Sequence, residues 1–297
     1  MTTTNGQLLV DKASGPTSHD VVARVRNLLG ERRVGHAGTL DPLASGLLIL
    51  GVGPSTRLLR FAQAQVKRYS GEVTFGVATD SLDADGEVVA RAAVPELSVA
   101  AVNELAASFL GAQLQEPPMV SARKVNGQRL YALARRGETV ERAAREVHVS
   151  SFHLAPGRDE ATWTFEVTCS VGTYVRVLLS DLATALGTVG HLSALRREAS
   201  GRHDVAHAWT LDALEEALRD QRPVLGAPVS FVDDLVQVRA DARVVAELRQ
   251  GKRVSLDVEA NGEVAVLDLA GRLVAVVEPR GESWKPNIVL PPETSEG

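Results

Sequence analysis

Residues Arg33–Leu48 read RVGHAGTLDPLASGLL, and the fold is decided by what this stretch is taken to be. Gly35, Gly38 and Gly46 surround a polar set of His36, Asp41 and Ser45, and the chain then enters the apolar run Leu47-Leu48-Ile49-Leu50. Glycines allow close backbone approach and positive φ, so the segment reads as a shaped loop delivered to the edge of a buried element. Pro42 biases Asp41 away from helical backbone, and its missing N–H cannot compete for the carboxylate. The arrangement suggests an aspartate held at a cavity wall. An ordinary turn is the plainer alternative, because Gly, Asp, Pro and Ser are also the standard turn residues.

Around this stretch, charge is distributed unevenly. The 297-residue chain carries a net charge of -5, which argues mildly against a nucleic-acid partner. Between Lys12 and Arg68, however, nine Lys/Arg face three Asp/Glu, and a phosphate backbone responds to such a local patch rather than to the whole chain. A single cysteine, Cys169, excludes an internal disulfide and a multi-cysteine zinc site and suits a reducing cytosol. The start MTTTNGQLLVDK has neither a basic run nor a long apolar stretch, so no signal peptide is expected, and no segment has the apolar length of a membrane helix.

Upstream, Gln7–Val10 suggest a short strand, and Thr17, Ser18 and Asp20 can cap a helix carrying Val21, Val22, Val25, Leu28 and Leu29 and ending at Gly30. Downstream, residues 54–64 suggest a second helix. From Lys67 to Ala90 the pattern alternates as strands do, with DSLDADGE as the turn; its alternate acids lack the full calcium-loop spacing. A helix over 97–110 capped by Ser98 follows, then a basic stretch with an Asn126-Gly127 turn and a short helix at Leu130–Arg135. Paired strands at 147–154 and 161–170 lead to a helix from Tyr174 to Leu186, with a further helix at 211–219. Arg176 at the start of its helix opposes the helix dipole, so a carboxylate partner elsewhere is expected. After about Val236, helix 241–250 and the strands VSLDVE, EVAVLDL and RLVAVVEP point to a small barrel.

The central motif GHAGTLDPLASGLL resembles the catalytic motif of the TruB family of tRNA pseudouridine-55 synthases, and the likeness extends along almost the whole chain. LVDKASGPTSHDVVARVR resembles the family's opening segment, with Ala13 where proline is usual, and brings Lys12 in as a substrate contact. KRYSGEVTFGVATDSLDADGE is similar to the segment supplying an active-site tyrosine and an aspartate, here Tyr69 and Asp80. PPMVSARKVNGQRLYALARRG looks like a thumb-like region with Lys124 at its basic position. CSVGTYVRVLLSDLA matches a motif that places an active-site arginine at Arg176, beside Tyr174, and HLSALRR resembles the segment whose leucine lines the pocket, here Leu195.

The resemblance implies an α+β catalytic domain over 1–232, built on a mixed, largely antiparallel sheet flanked by helices, with a basic thumb-like insertion near 112–146. A PUA-like RNA-binding barrel would occupy 233–297. It implies a cytoplasmic monomer that acts on tRNA without cofactor, metal or protein partner, flipping uridine 55 of the T loop onto Asp41 as nucleophile. Arg176 would keep Asp41 ionised, Tyr69 would stack on the flipped base, and His36 would fill the space the base leaves in the RNA. Rival readings are an RNA-binding protein or tRNA-folding chaperone on the same fold, a carbohydrate-active enzyme with carboxylates at an anomeric carbon, and a related synthase with another target uridine.

Overall fold

A computed structural model describes residues 4–118 and 142–292, with backbone only at 124–125 and 128–129. The loop read above lies between β2 (Val34–His36) and β3 (Ser45–Val52). β3 is buried along nearly all its length because both faces are covered, which is why it reads as a continuous apolar run. On one face Leu48, Leu50 and Val52 meet Leu8 and Val10 of β1 (Gly6–Lys12), Val21, Val22 and Val25 of α1 (Ser18–Leu29), and Leu214. On the other, Leu47 and Ile49 meet Phe231, Val232 and residues of the C-terminal unit such as Ala265 and Ile288.

Among the described residues the main sheet has nine strands. It continues through β4 (Lys67–Phe75), β7 (Gly111–Gln115), β10 (Arg145–Asp159), β11 (Thr162–Cys169), β12 (Gly190–Ser200) and the short β13 (His203–Asp204). Their order is β1-β3-β12-β4-β11-β10-β7, with β2 added on β3 and β13 on β12. Every pairing is antiparallel except β12 with β3, where Arg196 faces Ser45 and Arg197 faces Gly46. That close contact requires glycine: a Cβ on Gly46, whose φ is +97°, would stand 2.4 Å from the Arg197 carbonyl oxygen. β5 (Val77–Thr79) with β6 (Val88–Arg91), and β8 (Lys124–Val125) with β9 (Gln128–Arg129), form two separate two-stranded pairings.

The helices follow the capping signals. Thr17 and Asp20 form a reciprocal capping box on α1, whose end is Gly30 in left-handed backbone. Ser98 caps α3 (Val99–Ala107), Thr210 caps α5 (Leu211–Arg219) and Asp241 caps α6 (Ala242–Arg249). Residues 54–64 are not one helix. Gly53–Leu58 form a 3-10 segment before the short α2 (Leu59–Gln63), because Pro54 starts a tight turn that then relaxes. Tyr174 stands outside α4 (Val175–Ala185) as its N-cap. α3 and α4 cover the sheet face formed by β4, β10 and β11, burying Phe75, Phe152, Trp163 and Phe165 against Leu178, Leu179 and Leu182.

The C-terminal unit pairs β14 (Val236–Arg239), β15 (Val264–Leu267), β16 (Leu273–Arg280) and β17 (Ser283–Val289) in that order, covered by α6. VSLDVE is not a regular strand: only Val254 bridges, to Trp284 of β17. The expected turn at Asn126-Gly127 and helix at Leu130–Arg135 lie outside the described residues. No helix of the described residues is long and apolar enough to cross a membrane.

Candidate active site

The loop from Ala37 to Ala44 is held from behind by the opening segment of the chain. Ser18, fully buried in the first turn of α1, donates through Oγ to the Leu40 carbonyl at 3.0 Å and accepts from the Leu40 N–H at 2.9 Å. The Gly15 N–H donates to the Pro42 carbonyl at 2.8 Å, and the Ala44 N–H closes a turn on the Asp41 carbonyl at 3.0 Å. Lys12 belongs to this scaffold. It is 0% exposed, and Nζ donates to the carbonyls of Ala13, Pro16 and Pro42. Expected as a substrate contact, Lys12 instead spends its donors on backbone, because the turn around Gly15-Pro16 closes over it.

Asp41, thus presented, has a side chain 46% exposed and lies 3.0 Å from Nη2 of Arg176, whose own side chain is 5% exposed. The carboxylate partner required by an arginine in the first turn of α4 is therefore the loop aspartate itself. A second partner completes the fork. Nη1 of Arg176 donates to Asp83 at 2.7 Å and to the Ser81 carbonyl at 3.2 Å. Two carboxylates on one planar guanidinium fix its orientation. Burial pushes the Asp41 carboxyl up; Arg176 opposes this, while Asp83 and Asp85 reinforce it.

Asp80, the aspartate singled out by the resemblance, does not pair with Arg176; Asp83 does. The Asp80 carboxylate is exposed and accepts from the Glu87 N–H at 2.9 Å, tying off the hairpin turn. Asp83 is buried because Leu82 adopts a left-handed backbone (φ 64°), and Leu82 and Ala84 exchange hydrogen bonds with Leu192 of β12. This conformation is unfavourable for a side chain bearing Cβ, by roughly 1–2 kcal/mol. It turns the carboxylate inward, where Ser81 Oγ also donates to it.

A cavity of about 360 Å³ opens beside Asp41, lined also by Tyr69, Tyr174, Arg176, Leu195, Arg197 and Lys67. Its size lies within the usual range for small-molecule pockets, ~300–1,000 Å³. Tyr69 sits on the buried face of β4, opposite Val167 and Arg197 on the flanking strands. Burial raises its phenol pKa, so the hydroxyl stays protonated. Arg197 is almost fully buried, donating to the carbonyls of Leu47 at 2.7 Å and Gly38 at 3.2 Å. The Tyr174 backbone is clamped by Gln115, whose amide both donates to its carbonyl and accepts from its N–H.

His36 is outside the cavity lining. Its ring meets that of exposed His19 edge-on at 5.5 Å, and burial together with His19 and Arg197 lowers its pKa, keeping it neutral at pH 7. The side chain of Lys124 lies outside the described residues. No group of three or more His, Cys, Asp or Glu among the described residues could hold a metal ion.

Three buried groups at the site lay beyond the sequence reading. Asp83 was hidden among four acids in one turn, and periodicity does not say which of them points inward. Lys67 was legible in principle, since it precedes Tyr69 by two residues and shares its face of the strand. Arg197 would have followed from reading 190–200 as a strand, which puts Arg196 and Arg197 on opposite faces. Arg196 indeed turns away, to a bidentate pair with Asp11 at 2.8 and 3.0 Å.

Comparison with known proteins gives concordant results. Residues 26–175 match the model of the TruB family pseudouridylate synthase N-terminal domain. Residues 176–236 match the tRNA pseudouridylate synthase B C-terminal domain, and residues 237–291 the C-terminal domain of tRNA pseudouridine synthase II. A tRNA pseudouridine synthase B of Streptococcus pyogenes serotype M2 (strain MGAS10270) is 40% identical, covering 96% of this chain and 99% of its own. One from Nocardia farcinica (strain IFM 10152) is 43% identical, over 97% of this chain and 94% of its own. Among solved structures, a Cbf5-Nop10-Gar1 complex aligns with a TM-score of 0.74 at 22% identity, covering 97% of this chain and 85% of that one, a likeness of fold.

Proposed function

The chain belongs to the TruB family of pseudouridylate synthases, and from that premise we propose that it isomerises uridine 55 in the T loop of tRNA to pseudouridine. The observation that carries this reading is the Asp41 carboxylate at the mouth of a base-sized cavity, paired with buried Arg176 and facing Tyr69. The relatives' names supply tRNA as the substrate.

The isomerisation exchanges an N1–C1′ bond for a C5–C1′ bond, C5 giving up its proton and N1 taking one up, with no net oxidation. It needs a group that bonds to carbon and leaves again, which a carboxylate does unaided. Arg176 favours the ionised form of Asp41 and fixes its direction, anchored in turn by Asp83. Tyr69 and Leu195 offer a flat and an apolar surface to the uracil ring, and Tyr69 retains its proton as a donor. The target base lies stacked within RNA and must be extruded, at a cost of a few kcal/mol in other base-flipping enzymes. His36, neutral and outside the cavity, is suited to fill the vacated space. Backbone phosphates would meet exposed basic residues such as Arg24, Arg32 and Arg33, with a steep dependence on salt.

The chain acts alone on this reading, as a monomer, with residues 1–232 catalytic and the small β unit from 233 approaching the acceptor end as a PUA-like module. The apolar cluster joining β3 to Phe231, Ala265 and Ile288 supports a fixed rather than a loosely tethered module. The test is tritium release from [5-³H]uridine-labelled unmodified tRNA by wild type and Asp41→Asn. Release by wild type alone, lost when the T-loop uridine is replaced, supports the reaction, position and nucleophile together. Binding by both proteins without release from either would transfer the reading to an RNA chaperone.

A further inference from the structure

Lys67 is a buried charge that the chemistry above leaves without a task. It opens β4 and shares a strand face with Tyr69. The residue is 7% exposed, yet it lines the same cavity as Asp41. Its Nζ donates to the carbonyl of Gln63 at 3.1 Å and to that of Gln65 at 2.8 Å. An ammonium carries three N–H donors and no acceptor, so one donor has no partner among the described residues. Burial, aided by the charge of Arg197, lowers its pKa to about 8. At the wall of an open cavity that remaining donor is left to water, which an oxygen brought in by a ligand would replace.

Its neighbours narrow what that oxygen belongs to. Arg197, on the adjoining strand, has donors only, and two of its nitrogens are taken by the Leu47 and Gly38 carbonyls. This side of the cavity therefore offers N–H groups and repels N–H groups. A phosphate would have to shed its hydration to reach a lysine this deep, whereas a flipped base enters the cavity as a matter of course. Uracil presents two carbonyl oxygens, while cytosine replaces one of them by an amine.

We propose that Lys67 recognises the target base, donating its remaining N–H to a carbonyl oxygen of the extruded uracil. The assignment rests on the uridine-isomerase reading and adds to it a residue that selects uracil over a pyrimidine bearing an amine. A packing role for the lysine stem alone would hold the end of α2 in place and leave base selection untouched.

The experiment is a cycle between protein and substrate. Wild type and Lys67→Met are given T-arm RNAs with uridine, 2-thiouridine or 4-thiouridine at the target position, and single-turnover rates are compared. A thiocarbonyl is the weaker acceptor, so one of the two replacements slows wild type by about tenfold or more. In Lys67→Met that same replacement costs no more than about twofold, because the donor is gone. Equal thio costs in the two proteins at both positions overturn the proposal. Lys67→Leu, which also lacks a donor, repeats the cycle if methionine prevents folding, and affinities in an Asp41→Asn background replace rates if turnover is too slow. Wild type that forms no pseudouridine from the uridine RNA overturns the functional reading itself, an outcome distinct from equal thio costs in an active enzyme.

Discussion

Replacing Asp83 by asparagine probes the anchoring of Arg176 with little change of shape. Arg176 is 5% exposed and divides its fork between two carboxylates, Asp83 at 2.7 Å and Asp41 at 3.0 Å. Asp83→Asn keeps an oxygen that can accept from Nη1 but removes its charge. The guanidinium keeps its charge, so its bond to asparagine stays charge-assisted and moves only from the strong to the weak end of the range for bonds with a charged group, about 3 to about 1.5 kcal/mol. The difference, about 1.5 kcal/mol, would loosen Arg176 and slow the step that uses Asp41 by roughly 5- to 15-fold. The acid limb of the pH profile moves as well. The Asp83 charge helps to hold the Asp41 carboxyl above its usual range. Without it Asp41 ionises at lower pH, and because the ionised form is active, the rise in rate shifts to lower pH. The assay is single-turnover pseudouridine formation at saturating RNA between about pH 5 and 8, with affinity measured separately. A plateau equal to wild type and an unmoved acid limb, in a protein that melts normally, would refute the reasoning.

Other perturbations have equally direct outcomes. Asp41→Asn should abolish product while leaving RNA affinity within about threefold of wild type, by filter binding, since one exposed loop carboxylate contributes little to phosphate recognition. His36→Ala should weaken RNA binding and leave the rate at saturating RNA unchanged; a slower saturated rate would assign it to chemistry. Ser18→Ala leaves both the N–H and the carbonyl of Leu40 without the Ser18 hydroxyl, so denaturant unfolding should show a loss of about 2–4 kcal/mol. For Lys67 the folded pKa, about 8, lies below the ordinary 10.5. The unfolded chain binds the extra proton in that window, so this residue makes stability rise with pH from about 8 to 10.5, by roughly 3 kcal/mol at most. Cys169, raised from 9.0 to about 11, opposes this above pH 9. Urea unfolding at pH 7.5 and 9 should therefore show a gain in wild type that Lys67→Met lacks.

The sequence determined the elements whose signals are local. Thr17 with Asp20 and Gly30 bound α1 because a capping box and a left-handed end are written in adjacent residues. The unbroken apolar run after Asp41 announced a buried element, which the structure makes a strand covered on both faces. It also yielded Asp41, Tyr69 and Arg176, which the structure brings to one cavity, and the need of Arg176 for a carboxylate, since a cation opposes the dipole at a helix start. What it left undecided depends on which way a side chain points once distant segments meet. Asp83 rather than Asp80 holds Arg176 because Leu82 is forced into a left-handed turn by its bonds with Leu192, more than 100 residues away. Lys12 gives its donors to the backbone because the loop behind Asp41 folds over it, and Arg197 gained a place at the cavity because β12 lies parallel to β3 at Gly46. Periodicity specifies a face. Only the packing of one segment on another decides what that face meets.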